Sequence, residues 1–252
     1  MPNYRGFGLR EEWLRIFLDD PENFWQNEQL GIEIFKGFAK WGKDSGLLDK
    51  KKLPLEVVGK FISLGADSLK VWGYIFVNLA YNSKLINLFL KRCALDEPCN
   101  NDFLMEMLGS SYSDATKKII LRSLKSTLRF SPIGEEMGQG ICEVKGNSVV
   151  SITRTEWQNP EPLVILYSLY KFAEHSENLH SFTLTNLLDD GEKREALSPK
   201  ILFGLDKEIL CPLLQGLAND YSAFIRVNFN KGIQENIFLN KEKKSEDAVQ
   251  LF

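Results

Sequence analysis

The stretch 102-DFLMEMLGSSYSDATKKIILRSLKSTLRF-130, with 141-ICEVKGNSVVSIT-153 after it, carries the most specific pattern in the chain. Asp102 to Leu108 spaces its apolar residues as a short helix does, and Gly109-Ser110-Ser111 makes a tight turn. Ser113 is a good N-cap, and Ala115 to Phe130 then reads as a long amphipathic helix. Ile141 to Lys145 and Val149 to Thr153 alternate like strands on either side of Gly146-Asn147, a dipeptide suited to a two-residue hairpin turn. Helix, turn, helix, β-hairpin is the order of a winged helix-turn-helix. The expected core of this unit is Phe103, Leu104, Leu108, Leu121, Leu124 and Leu128.

Working outward, the preceding residues read as helices. Trp13, Leu14, Phe17 and Leu18 share one face of a helix that Asp19-Asp20-Pro21 stops. Ile32 to Lys43 forms a second helix, buried on Ile34, Phe35, Phe38, Ala39 and Trp41 and closed near Gly46. Trp41 is expected to meet Trp13 or Trp72, and the aromatic set Trp13, Trp25, Phe35, Phe38, Trp41 and Trp72 reads as core packing. Leu55 to Leu64 is a short helix, and Asp67 to Leu90 one or two long buried ones. Downstream, the same grammar recurs without sequence repetition. Leu163 to His175 is a helix, and Ser181 or Thr183 caps a short one. Asp206 to Asn219 is another helix, in which Pro212 forces a late start or a bend. Phe224 to Phe229 and Asn236 to Leu239 form a hairpin around Lys231-Gly232. The fold expected is therefore mainly α with small β-hairpins, in winged helix-turn-helix-like units. The divisions are 1–98 (helical), 99–158 and 159–240 (winged-helix-like), and 241–252 (a frayed tail).

The chain has 252 residues, 44% of them hydrophobic, and a net charge of −3. That supplies ample core material, and it restricts any polyanion-binding surface to a local patch. Residues 1–20 hold no apolar run and carry Arg5, Arg10, Glu11 and Glu12, which argues against a signal peptide. The most apolar stretch, Val71 to Leu90, is interrupted by Gly73, Asn78, Asn82, Ser83, Lys84 and Asn87, so no membrane span is expected. The four cysteines show no paired spacing and read as reduced thiols of a cytoplasmic protein.

The 115–130 helix is the best candidate surface, because it carries Lys117, Lys118, Arg122, Lys125 and Arg129 and no acid. At about 100° per residue, Lys118, Arg122, Lys125 and Arg129 fall within an arc of roughly 60°, and the leucine stripe lies roughly 80–100° away. Ser123, Ser126 and Thr127 add hydroxyls able to meet phosphates, and Lys145, Asn147 and Arg154 extend the cationic surface through the hairpin. The competing reading is a solvated face whose cations meet acids elsewhere in the chain. His175 and His180 bracket Glu177 at a spacing of five, which is not the helical metal pair, and they read as polar loop residues. No phosphate-loop, zinc-protease or nucleophile-elbow motif is present, so no catalytic, cofactor or metal residue is expected.

Phe7-Gly8-Leu9-Arg10 followed by Trp13-Leu14 resembles the opening of an uncharacterised bacterial family. Genes of that family neighbour phosphoadenosine phosphosulfate reductase-like genes in phage-defence and DNA-modification loci. Gly31, Trp41, Gly46 and Leu47 match its next spacing, and Asp67-Ser68-Leu69 with Trp72 resembles a later block. Pro162 to Phe172 and Phe203-Gly204-Leu205 are also similar. The chain reads Tyr4-Arg5-Gly6 where the family has a histidine–glutamate pair before the phenylalanine, and Ile32 where it has a lysine. The resemblance implies a genomic context rather than a mechanism. Two functions are therefore expected. The first is a non-enzymatic DNA-binding or DNA-associated accessory protein of a bacterial defence or modification system, with duplex DNA as partner. The second is an adaptor for a partner enzyme of the same locus (sulfur-transfer or reductase-like), without nucleic-acid contact. They differ in whether acids of the same chain cap the cations.

Overall fold

In a computed structural model, residues 4–28, 30–191, 195–229 and 235–252 are described. The chain divides into two compact units, residues 1–155 and 156–252. The fold is mixed α/β. Among the described residues, helices outnumber strands, and the strands form two small three-stranded antiparallel sheets. No described helix is long and apolar enough to cross a membrane.

The first unit begins with α1 (Glu11–Asp19), α2 (Ile32–Asp44), α3 (Val57–Leu64), α4 (Leu69–Asn82) and α5 (Lys84–Arg92). Ser83 separates the last two, because its side chain caps α5 at the Ile86 N–H. Next come β1 (Pro98–Asn100), α6 (Asn101–Met107), α7 (Asp114–Arg129), β2 (Ile141–Lys145) and β3 (Ser148–Thr153). Ser113 caps α7 as its sequence position requires. The β2–β3 hairpin turns at Gly146-Asn147, and Lys145 pairs with Ser148. The sheet gains a strand that sequence reading missed: β1 pairs with β3, giving the order β1-β3-β2. Three residues are too few to show alternation.

Residues 4–10 tie the front of this unit together. Tyr4 is buried, stacks on Trp41 at 3.8 Å, and places its hydroxyl 2.6 Å from Asp44 Oδ2 and 2.7 Å from Ser83 Oγ. The Trp41 indole N–H donates to the Phe7 carbonyl at 2.8 Å. Trp41 is thus fully buried, but its stacking partner is Tyr4, not Trp13 or Trp72. On the other side the segment lies against α7. The Leu9 N–H donates to Thr127 Oγ1 (2.9 Å), Arg10 Nε to Ser126 Oγ (3.1 Å), and the Glu11 N–H to the Phe130 carbonyl (2.9 Å). Residues 4–10 and α7 are therefore parts of one unit, on either side of position 98, where a division was expected. Leu104, Leu108, Leu121, Leu124 and Leu128 are buried as expected, but Phe103 is 41% exposed, because on α6 it faces away from the side that buries Leu104.

The second unit repeats the order. It comprises α8 (Pro162–Glu174), β4 (Ser181–Thr183), α9 (Leu184–Leu187), α10 (Pro199–Phe203), α11 (Lys207–Asp220), β5 (Ile225–Asn228), β6 (Asn236–Leu239) and α12 (Ser245–Val249). Its sheet order, β4-β6-β5, again places the early short strand beside the second strand of the hairpin. Thr183 caps α9 through a reciprocal box with Asn186. The expected turn at Lys231-Gly232 lies outside the described residues. Two expectations need correction. Pro212 does not delay α11, which runs from Lys207 with Asp206 as its cap and holds the proline inside the helix. The tail from Lys241 does not fray: α12 packs on α8, burying Ala248 and Val249, and Glu174 accepts the Ser245 N–H at 3.0 Å.

Candidate nucleic-acid interface

In the first unit a cleft of about 810 Å³ opens beside α7. Its floor is the α7 face that carries Lys118, Arg122, Lys125 and Arg129. One wall is the N-terminal segment, with Arg5, Phe7 and Arg10, and the other includes Asn147, Ser148 and Val149 of the hairpin. The lining thus carries six cations against one carboxylate, Asp102 in the first turn of α6.

The helix repeat aligns the four α7 cations, and the packing of residues 4–10 adds the other two. Gly8 makes this possible. A Cβ there would fall 2.1 Å from the Thr127 nitrogen, 2.6 Å from the Ser126 carbonyl carbon and 2.8 Å from the Ser123 oxygen. Only glycine lets the two backbones approach so closely. Gly6, at a φ of 78°, completes the turn that brings Arg5 to the rim. A Cβ on Gly6 would lie 3.5 Å from Arg122 Cδ.

The cations are held yet leave donors to spare. Lys125 donates to Asn101 Oδ1 and to the Val149 carbonyl (3.0 Å), and Arg129 to the Asn147 carbonyl (3.4 Å). An ammonium offers three donors and a guanidinium five, so both retain capacity for a ligand. Among the described residues, none of Arg10, Lys118, Arg122, Lys125 and Arg129 forms an ion pair with a carboxylate. Burial lowers the pKa of Lys125, and burial is also the main cause of the lowered Arg10 pKa. The Arg129 charge adds to the effect on Arg10, and Glu12 opposes it. Phe130, 42% exposed, closes one end of the cleft, with the Arg10 and Arg129 guanidinium carbons 4.4 and 5.1 Å from its ring centroid.

The remaining expected contacts lie elsewhere. Lys117 is one residue from Lys118, hence turned about 100° around the helix, and it does not line the cleft. Lys145 pairs with Glu143 at 3.4 Å on the hairpin and is also outside the cleft. Arg154 is 2% exposed and is removed from the surface altogether. Its guanidinium donates to the Leu90 carbonyl (2.8 Å), the Cys93 carbonyl (3.2 Å) and Gln139 Oε1 (3.0 Å). It thereby satisfies carbonyls at the C-terminal end of α5, where a cation is favoured, and burial pushes its pKa down to about 10. Ser123, Ser126 and Thr127 are buried; the Ser123 hydroxyl donates to the Ile119 carbonyl of its own helix (3.3 Å), and those of Ser126 and Thr127 accept from Arg10 and Leu9 and so seat residues 4–10. Sequence reading missed Arg5 and Arg10 as site residues. The signal was there in Phe7-Gly8-Leu9: a glycine between apolar residues marks a close backbone approach, and the two arginines flank it.

In the second unit, a hollow of about 510 Å³ adjoins His175, with Glu177 and Glu195 on its lining. Both acids are exposed, and His175 Nδ1 lies 2.8 Å from its own helix's Lys171 carbonyl. His175, like the two acids, is exposed, so the histidine and carboxylates there do not form a buried site. Among the described residues, no cluster of three metal-ligating side chains occurs. Comparison of the chain with protein-family models, with curated proteins and with solved structures finds no match.

Proposed function

We propose that the first unit binds nucleic acid through its phosphate backbone, as a non-enzymatic, DNA-associated protein. One observation carries the reading: the α7 cations converge on a cleft, and among the described residues no carboxylate pairs with them. A solvated structural face in an acidic chain would be expected to meet its own acids. The element order supports a winged-helix-like reading of both units. Helix, short strand, helix, long helix and hairpin recur, with α10 added before the long helix of the second unit, and in both the early strand lies beside the hairpin's second strand. In that reading α7 is the helix that faces nucleic acid, and it contacts backbone rather than base edges, because lysine and arginine at phosphates position a protein without reading sequence. A role as accessory protein of a bacterial defence or modification system rests on the family resemblance of the N-terminal block.

The test is a salt titration of binding to labelled DNA, in paired and unpaired forms. Each phosphate contact contributes about −0.9 to the slope of log affinity against log salt on duplex and about −0.7 on single strands. Arg122→Ala with Lys125→Ala should flatten the slope of whichever form enters the cleft, by nearly two units for a duplex or about 1.4 for a single strand, similarly for every sequence tested. Absence of binding to either form at about 50 mM salt, where the electrostatic attraction is strong, overturns the proposal. The same cations would then serve the adaptor reading, as a dock for an acidic protein partner.

A further inference from the structure

We propose that the cleft selects an unpaired nucleic-acid strand over a duplex, an inference that rests on the nucleic-acid reading of the same cleft. The argument is one of shape. A recognition helix enters a major groove about 12 Å wide, which a helix of about 10–12 Å with its side chains already fills. The cationic face of α7 is not free to enter in that way. Residues 4–10 cross the helix at the closest backbone contact of the segment, a Gly8 Cβ falling 2.1 Å from the Thr127 nitrogen. On the other side the hairpin is held to the same helix by Lys125 and Arg129, through the Val149 and Asn147 carbonyls. The charges therefore lie on the floor of a walled cleft. A volume of about 810 Å³ is that of a small-ligand site, too small to admit a double helix and wide enough for a strand a nucleotide or two at a time.

The chemistry of the cleft fits the same ligand. Lys118, Arg122, Lys125 and Arg129 succeed one another every ~4.5–6 Å along the floor, at the helix rise of about 1.5 Å per residue. That row of cations can follow the phosphates of a flexible strand laid along the floor, which is free to bend to the cleft as a stiff duplex is not. Phe130, 42% exposed, lies at the end of the floor with the Arg10 and Arg129 guanidinium groups over its ring, and this aromatic–guanidinium cluster is the surface against which a base can stack. A basic groove with an aromatic platform is the arrangement that binds single strands with little sequence preference, since every base has a face to stack. A duplex keeps its bases stacked inside and has none to present to Phe130.

The experiment uses the full chain with a fluorescent oligothymidine and, separately, a duplex of the same length at about 50 mM salt. The unpaired strand is expected to bind at least tenfold tighter. Phe130→Leu, which keeps apolar bulk but removes the ring, should weaken strand binding about fivefold or more and leave duplex binding unchanged. A thymidine monophosphate competitor separates a strand site from a free-nucleotide site: displacement of the oligonucleotide at micromolar concentration overturns the strand assignment, and displacement only at millimolar concentration supports it. Equal or tighter duplex binding, or an unaltered Phe130→Leu affinity, overturns this inference and leaves nucleic-acid binding standing. Absence of binding in both forms overturns the broader reading with it.

Discussion

Gly8→Ala is the substitution that separates the scaffold from the charge it carries. The added methyl would sit 2.1, 2.6 and 2.8 Å from three main-chain atoms of α7. Those atoms belong to a helix and cannot swing aside as a side-chain tip could, so residues 4–10 must lift by roughly 1 Å to restore van der Waals contact. Overpacking of this kind costs about 1–3 kcal/mol. The lift also stretches the Leu9–Thr127 and Arg10–Ser126 hydrogen bonds, now 2.9 and 3.1 Å, and forfeits about 0.5 kcal/mol from each, the low end of what such a bond contributes. A total near 2–4 kcal/mol follows, and in a 155-residue unit each kcal/mol lowers Tm by about 2–4 °C. Thermal unfolding followed by circular dichroism should therefore show a fall of roughly 4–16 °C. If the variant remains folded at 20 °C, Arg5 and Arg10 will have withdrawn from the cleft, and the salt slope for an unpaired strand should flatten by up to about 1.4 units. Thr127→Val provides a milder form of the same perturbation, leaving the buried Leu9 N–H without its acceptor at a cost of about 1–3 kcal/mol. An unchanged Tm in Gly8→Ala would refute the packing argument; a lowered Tm with an unchanged slope would remove Arg5 and Arg10 from the binding site.

Two further outcomes follow from the cores of the two units. Leu124→Ala, at a fully buried position on the face of α7 away from the cations, should destabilise the first unit by about 2–5 kcal/mol in urea titrations. A loss under about 0.5 kcal/mol would mean the buried stripe is misplaced. In the second unit, burial alone would raise the Glu174 pKa, but the Ser245 N–H and Lys171 together outweigh it and the net direction is down. A pKa lowered on folding contributes stability that is present above the unfolded value of about 4.3 and is lost as pH falls through the native one. Glu174→Gln should therefore lose part of the acid sensitivity of the second unit, and superimposable wild-type and variant stability profiles from pH 6 to pH 3 would contradict the assignment.

The longer helices were legible because their apolar periodicity and caps are local: Ser113 caps α7 where its side-chain chemistry says it should, and Thr183 was one of two expected caps of α9. The cationic stripe was legible for the same reason, since a helix fixes which of its own residues share a face. The failures share an opposite cause. The strand at Pro98–Asn100 exists by pairing with Ser151, Ile152 and Thr153, more than fifty residues away, and three residues carry no pattern of their own. Arg154 looked like a surface cation because nothing near it in sequence reveals the end of α5 that its guanidinium satisfies. Ser126 and Thr127 face away from solvent because residues 4–10 cover them, and that contact spans more than a hundred positions.

The similar element order of the two units sets the α7 stripe apart as a feature of the first unit alone. In the second unit α11 occupies the position that α7 occupies in the first, yet its charged residues are Lys207, Glu208 and Asp220, with no cationic stripe. Shared architecture therefore does not explain the cations of α7, and a function assigned from element order alone would be assigned to both units alike. The α7 stripe also works against its own helix. Lys118 with Arg122, Arg122 with Lys125, and Lys125 with Arg129 are like-charged pairs at three- and four-residue spacing, each destabilising by about 0.2–0.5 kcal/mol. Arg5 and Arg10 add charge to the same cleft, and partial burial of Arg10 and Lys125 makes that charge harder to solvate. Among the described residues no carboxylate pairs with the α7 stripe to relieve it. A cleft so arranged is stabilised by whatever anion enters it. A ligand bringing several phosphates at once would relieve the most repulsion, and on the proposed reading a polyanionic strand is therefore expected to bind there more tightly than an isolated anion.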